Sequence, residues 1–88
     1  MAVLLVTYDL RQADYPGYPD FHGTIKSYDW TELSKCSYAI VTDESPGTVY
    51  GKLRRFQHEK DHIYIVALAA PWTGYGTKST NDWLRERL

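Results

Sequence analysis

The chain predicts one α+β domain spanning residues 1–88, and three observations carry that expectation. Short apolar runs rich in β-branched residues recur at Ala2 to Tyr8, at Cys36 to Thr42 and at His62 to Ala69, each too short for an ordinary helix. Two stretches between them repeat apolar residues at helical spacing: Phe21, Ile25 and Tyr28, then Val49, Leu53 and Phe56. The length of 88 residues allows one domain, with a core that is marginal for its size.

Each element has its own reason. Ala2 to Tyr8 reads AVLLVTY with no polar alternation, as in a strand covered on both faces, and stops at Asp9. Residues 10–20 hold two prolines and a glycine and read as a loop. Pro19 suits a first helical turn, so the spacing predicts a helix over about 19–29. A short strand near 30–33 and a fuller one near 36–42 flank a polar break at Ser34-Lys35. Ser45 as N-cap and Pro46 at the first position start a helix over about 46–58, with Lys52, Arg54, Arg55, His58 and Lys60 opposite its apolar face. A last strand starts near His62 and ends by Pro71. Residues 72–79 form a loop, and Thr80 caps a short helix packing through Trp83, Leu84 and Leu88, which makes a tail of about 71–88.

The resulting order, β-α-β-β-α-β with a C-terminal helical tail, is that of a ferredoxin-like sandwich. Its two helices cover one face of a four-stranded antiparallel sheet and leave the other bare. The first and third strands are central in that topology, yet apolar on both faces. A second copy packed sheet to sheet is the simplest cover, so a homodimer is expected.

Composition excludes several classes. Hydrophobic residues make up 43% and the net charge is −1, which argues against disorder. The same charge gives little general pull on a polyanion. One cysteine excludes a disulfide scaffold, and Cys36 reads as a small buried hydrophobe. The first residues lack the basic and cleavage regions of a signal peptide, and no apolar run is long enough to span a bilayer. A cytoplasmic protein with no membrane partner is expected.

Few residues can carry chemistry. Asp9, in Tyr8-Asp9-Leu10-Arg11, ends the first strand. It is either a strand terminator or, doubled by a two-fold axis, half of a carboxylate pair able to hold a cation. His58 and His62 are four residues apart, but they straddle a predicted helix end, so the one-face helical geometry of a zinc protease is not expected. The cluster Lys52, Arg54, Arg55, His58 and Lys60 is either a solvated helix face or a set of phosphate contacts. Tyr15, Tyr18 and Tyr75 lie in loops, where aromatics stack on bases or pack over a small core.

Taken together, the strand ending in Tyr8-Asp9, the Cys36-Ser37-Tyr38 strand, the helix at 46–58, and Asp61 leading into Ile63-Tyr64-Ile65 resemble the CRISPR-associated protein 2 family. The layout is also similar to virulence-associated protein D and to stand-alone SinR-like relatives. The resemblance covers roughly residues 2–70. It implies a ferredoxin-like homodimer and, in several members, a metal-dependent nuclease acting on RNA or DNA. On this resemblance the family's strand-end aspartate falls on Asp9, whose two copies would then bind one Mg²⁺ at the two-fold axis. The serine opening the family's third strand falls on Ser37, for which the resemblance implies a supporting role at the site.

Two functions are therefore carried forward. The first is a Mg²⁺-dependent nuclease with Asp9 as metal ligand and catalytic residue, Ser37 beside it, and Arg11, Lys52, Arg54 and Arg55 as nucleic-acid contacts. The alternative is a non-catalytic dimeric scaffold or binding module of a toxin–antitoxin or mobile-element system. A small-ligand regulatory domain is a third class without a motif to carry it.

Overall fold

The computed structural model describes residues 1–88 and contains a four-stranded antiparallel sheet with three helices. The elements are β1 (Ala2–Asp9), α1 (Tyr18–Ile25), β2 (Asp29–Ser34), β3 (Ser37–Thr42), α2 (Pro46–Leu53), β4 (His62–Leu68) and α3 (Lys78–Arg87). The strands lie in the order β2-β3-β1-β4, so β1 pairs on both sides, with β3 and with β4. This position explains its unbroken apolar sequence. Leu4, Val6 and Tyr8 face one way and are buried with Phe21 and Ile25 of α1 and Val49 and Leu53 of α2. Alternation sends Val3, Leu5, Thr7 and Asp9 to the other face.

Several boundaries differ from the sequence expectation, each for a local reason. The first helix ends at Ile25, four residues short of the expected 29. Thr24 donates its hydroxyl to the Asp20 carbonyl at 2.8 Å, and Ser27 donates to the Thr24 carbonyl at 2.6 Å. Such hydroxyls compete with helical backbone pairing. The helix expected over 46–58 starts as foreseen, with Ser45 Oγ accepting from the Thr48 N–H at 3.1 Å, but its α portion stops at Leu53. A single 3-10 turn follows over Arg54–Phe56, and Gln57 is already extended, with φ −94° and ψ 154°.

Cys36 is not the buried hydrophobe expected of it. It is exposed in the turn between β2 and β3. Ser34 Oγ accepts from the Cys36 N–H at 3.2 Å and lies 2.6 Å from Ser37 Oγ, so the polar break closes a tight hairpin one residue later than the strand pattern suggested.

The tail brings the largest correction. Its helix is capped by Thr77 rather than Thr80, with Thr77 Oγ1 accepting from the Thr80 N–H at 3.3 Å. Thr80 instead docks the helix: its hydroxyl donates to the Glu32 carbonyl at 3.1 Å and sits 3.0 Å from Thr31 Oγ1. Trp83, Leu84 and Leu88 pack as expected, and they do so on the sheet face opposite α1 and α2, against Val3, Ala39, Val41 and Leu68. That face is therefore not bare; the chain covers one end of it with its own tail. No helix of the chain is long and apolar enough to cross a membrane.

Candidate site at the open end of the sheet

Asp9 is the last residue of β1 and projects from the face that α3 partly covers. Its carboxylate Oδ2 lies 3.4 Å from Arg11 Nη1, with both side chains more than half exposed. An ion pair in that setting contributes at most about 1 kcal/mol, so Arg11 is a displaceable partner.

What fixes Arg11 is its backbone. The Arg11 N–H donates to Asp61 Oδ1 at 2.7 Å. The same carboxylate accepts the His58 N–H at 2.8 Å and the Tyr18 hydroxyl at 2.8 and 2.9 Å. Tyr18 in turn accepts the Gln12 N–H at 3.2 Å. Asp61 is buried, which by itself raises a carboxyl pKa, yet these donors outweigh burial and hold it below the usual carboxylate range. One carboxylate thus ties the loop after β1 to the loop before β4. Sequence reading took Asp61 only as the residue leading into the last strand and missed this role, because its partners lie up to 50 residues away and no local pattern marks them.

The other expected site residues are placed unevenly. Ser37 is paired with Thr7, two residues before Asp9, so it shares Asp9's face. Its hydroxyl is engaged with Ser34, however. Lys52, on the helical layer, donates to Glu44 and lies 5.8 Å from the centre of the Tyr28 ring. Arg54 and Arg55 are exposed on the turn that follows α2, and the Arg55 guanidinium lies 5.4 Å from the centre of the neighbouring Phe56 ring. That turn leads back to the start of β4, hence to the sheet end that carries Asp9, but from the helix side. The fold thus brings Asp9, Arg11 and Ser37 to one end of one face and keeps Lys52, Arg54 and Arg55 apart from them.

Tyr8 and Asp9 are adjacent in sequence and point to opposite faces. Tyr8 is buried, and its hydroxyl donates to the Lys35 carbonyl at 3.1 Å. Burial first, then the neighbouring Tyr38, Cys36 and Glu32, push its phenol pKa up, so it stays a neutral core group. Among the tyrosines expected in loops, Tyr15 packs on Tyr18 and His58 with ring centres 5.2 and 5.3 Å apart, while Tyr75 is fully exposed. His58 does not cap α2; its backbone serves Asp61 and its Nδ1 accepts the Lys60 N–H at 3.1 Å.

No three His, Cys, Asp or Glu side chains of one chain converge as a metal site. A cation held at Asp9 therefore needs donors from a second copy or from water. A groove of about 420 Å³ opens between the 72–77 loop, α3 and the sheet, lined in part by Leu68, Trp72, Tyr75 and Leu84, and it does not include Asp9.

No family model matches this chain, and no curated protein matches it. Among solved structures it is similar to the crystal structure of a hypothetical protein from Thermus thermophilus, with a TM-score of 0.68 and 15% identity over 86% of this chain and 92% of that one. At that identity the likeness shows a shared fold and nothing of activity.

Proposed function

We infer that the chain is a cytoplasmic homodimer of ferredoxin-like fold, resembling the CRISPR-associated protein 2 family, that cleaves RNA or DNA with Mg²⁺ at paired Asp9 residues. The strand order β2-β3-β1-β4 and the packing of α1 and α2 on one sheet face support the fold. One observation carries the function. Asp9 sits at the end of an outer-face strip that α3 leaves uncovered, where Tyr64 is 67% and Val66 50% exposed beside Leu5. A second copy laid on this strip removes apolar area from water and brings a second Asp9 toward the first.

The donor chemistry fits the ion. Magnesium is commonly held by one or two carboxylates while keeping several waters, and two Asp9 side chains with solvent meet that need. When bound, the ion supplies Lewis-acid activation of water and neutralises charge at a phosphodiester. Arg11 is placed to exchange its carboxylate partner for a phosphate oxygen, and Ser37 lines the same face. Arg54 and Arg55 extend the contact along a strand, and Lys52 joins them on leaving Glu44. The test is cleavage of RNA and of DNA by the purified protein with and without Mg²⁺. Wild type is expected to cut only with the metal, and Asp9→Ala not at all; cleavage that survives Asp9→Ala refutes the site.

A specific observation favours a second reading, a non-catalytic dimeric scaffold or binding module. Asp9, Ser37 and Lys52 each already have an internal partner, in Arg11, Ser34 and Glu44. On that reading the dimer forms, no cleavage is seen with any divalent ion, and Asp9→Ala leaves partner binding unchanged.

A further inference from the structure

Strand register places a second metal-ligating side chain beside Asp9. In the β1–β4 ladder Asp9 stands directly opposite His62, the first residue of β4. Directly opposed residues share a face, with Cβ atoms roughly 4.5–5.5 Å apart. Both side chains are exposed, so neither must leave the core to reach an ion. The face assignment is fixed on both strands. Tyr8 is buried on the helix side of β1, and Ile63 packs on that same core from β4, so Asp9 and His62 both project from the outer face. Sequence spacing hides this pair, because 53 positions separate its members, and the four-residue spacing of His62 from His58 falls across a loop rather than within a helix.

We propose that Asp9 and His62 form the half-site of a divalent transition-metal ion, completed by the same two residues of a second copy. This rests on the homodimer reading above and departs from a purely carboxylate site. Two carboxylates and two imidazoles make an N₂O₂ donor set. Imidazole suits Zn²⁺, Co²⁺ and related ions, whereas Mg²⁺ takes oxygen donors. One chain offers only two ligands, consistent with the lack of any three-residue metal cluster within it. The competing charge is Arg11, 3.4 Å from Asp9, in an exposed pair that a divalent ion can displace.

The test uses Co²⁺ alone, titrated into the full chain and read by visible absorption and calorimetry. The expected result is one Co²⁺ per two chains, with an absorption band of nitrogen-containing ligation. His62→Gln is expected to abolish that band and to weaken Co²⁺ binding by about tenfold or more, while Mg²⁺ binding changes less than about twofold, since imidazole is not among its usual ligands. Asp9→Asn is expected to remove both metals, and Arg11→Gln to tighten Co²⁺ binding. Because His62 is exposed, His62→Gln is expected to keep the wild-type circular dichroism spectrum. Unchanged Co²⁺ affinity and absorption in His62→Gln overturn the proposal, as does one ion bound per chain. The nuclease reading is judged separately: Mg²⁺-dependent cleavage lost in Asp9→Ala while His62→Gln still binds Co²⁺ normally sinks only this inference. A shared Co²⁺ site in a protein that never cleaves sinks only the nuclease.

Discussion

The outer face of the sheet is built in two ways at its two ends. At one end Val3, Ala39 and Leu84 form a closed cluster, roofed by Trp72, Trp83 and Leu88. At the other, Tyr64 and Val66 stand open beside Leu5, with Asp9 and His62 beyond them. The open end still carries Leu5, Tyr64 and Val66 on this face, so the presence of apolar side chains alone does not decide which end is covered. The covered end also has polar anchors: Trp83 Nε1 donates to Asp29 Oδ1 at 3.0 Å, and Arg87 Nε donates to Asp29 Oδ2 at 2.9 Å. Length sets the rest. The ten-residue α3 is about 15 Å long, whereas the eight-residue β1 runs to about 26 Å. A helix of that size, crossing a four-stranded sheet, leaves part of the face exposed.

The contrast breaks most directly at Leu84. It is the one residue of α3 that is buried, at 8% exposure, and its leucine side chain fills the cluster with Val3 and Ala39. Leu84→Ala is expected to cost about 2–4 kcal/mol, read from the urea midpoint at unchanged slope. A loss below about 0.5 kcal/mol, the range of an ordinary surface change, shows that the tail does not roof the sheet.

The two carboxylates near Arg11 repeat the contrast on a smaller scale. Asp9 is exposed with one loose partner, while Asp61 is buried and accepts from Arg11, His58 and Tyr18. Asp61→Asn is expected to cost about 1–3 kcal/mol, because the amide nitrogen offers protons where N–H donors already point. The pH dependence follows from the lowered carboxyl pKa of Asp61 in the fold. Its contribution is full above the unfolded value of about 3.9 and is lost as pH falls through the lower folded value. Denaturation curves between pH 7 and pH 2 are expected to converge for wild type and Asp61→Asn at the acid end. Curves that stay parallel contradict the latch.

These cases mark what could be read from residues alone. Strands with unbroken apolar runs and the Ser45-Pro46 helix start were legible, since the signals are local and strong. The ends of α1 and α2 were not, because Ser27 and Thr24 in one case, and the capture of the following loop by Asp61 in the other, act outside the apolar period. The tail was read as helix, yet its side of the sheet depends on Thr80 meeting Thr31 and Trp83 meeting Asp29, pairings 49 and 54 residues apart. At the candidate site, Asp9 was visible as a strand end, whereas Asp61 and His62 reach it only through register and loop geometry.

A middling effect is expected at the polar anchor of the covered end. Asp29 accepts from both Trp83 and Arg87; the Trp83 bond leads in holding its carboxyl pKa low, burial opposes that shift, and the Arg87 bond and charge add to the lowering. Asp29→Ala is expected to cost about 1 kcal/mol, since one charge-assisted bond is exposed and the indole can turn to water. The readout that isolates the tail is amide hydrogen exchange in α3, which should quicken more than exchange in β1. Uniform acceleration through the sheet contradicts a local anchor.

The smallest effect on folding is expected at the open end, and it separates the two ends most sharply. Tyr64→Thr with Val66→Thr keeps β-branched or β-favouring residues at exposed strand positions, so the folded chain should change by no more than about 0.5 kcal/mol per site. Covering this strip with a second copy makes a different demand, because each hydroxyl then enters an apolar interface without a built-in partner. Light scattering across a micromolar dilution series is therefore expected to give a dimer for wild type and a monomer for the double variant, at nearly equal urea midpoints once extrapolated to low protein concentration. A wild-type chain that stays monomeric throughout removes the second Asp9 and with it the paired site. A double variant that stays dimeric moves the interface away from β4, and then the open strip has to be explained by some other contact than a second copy of this sheet.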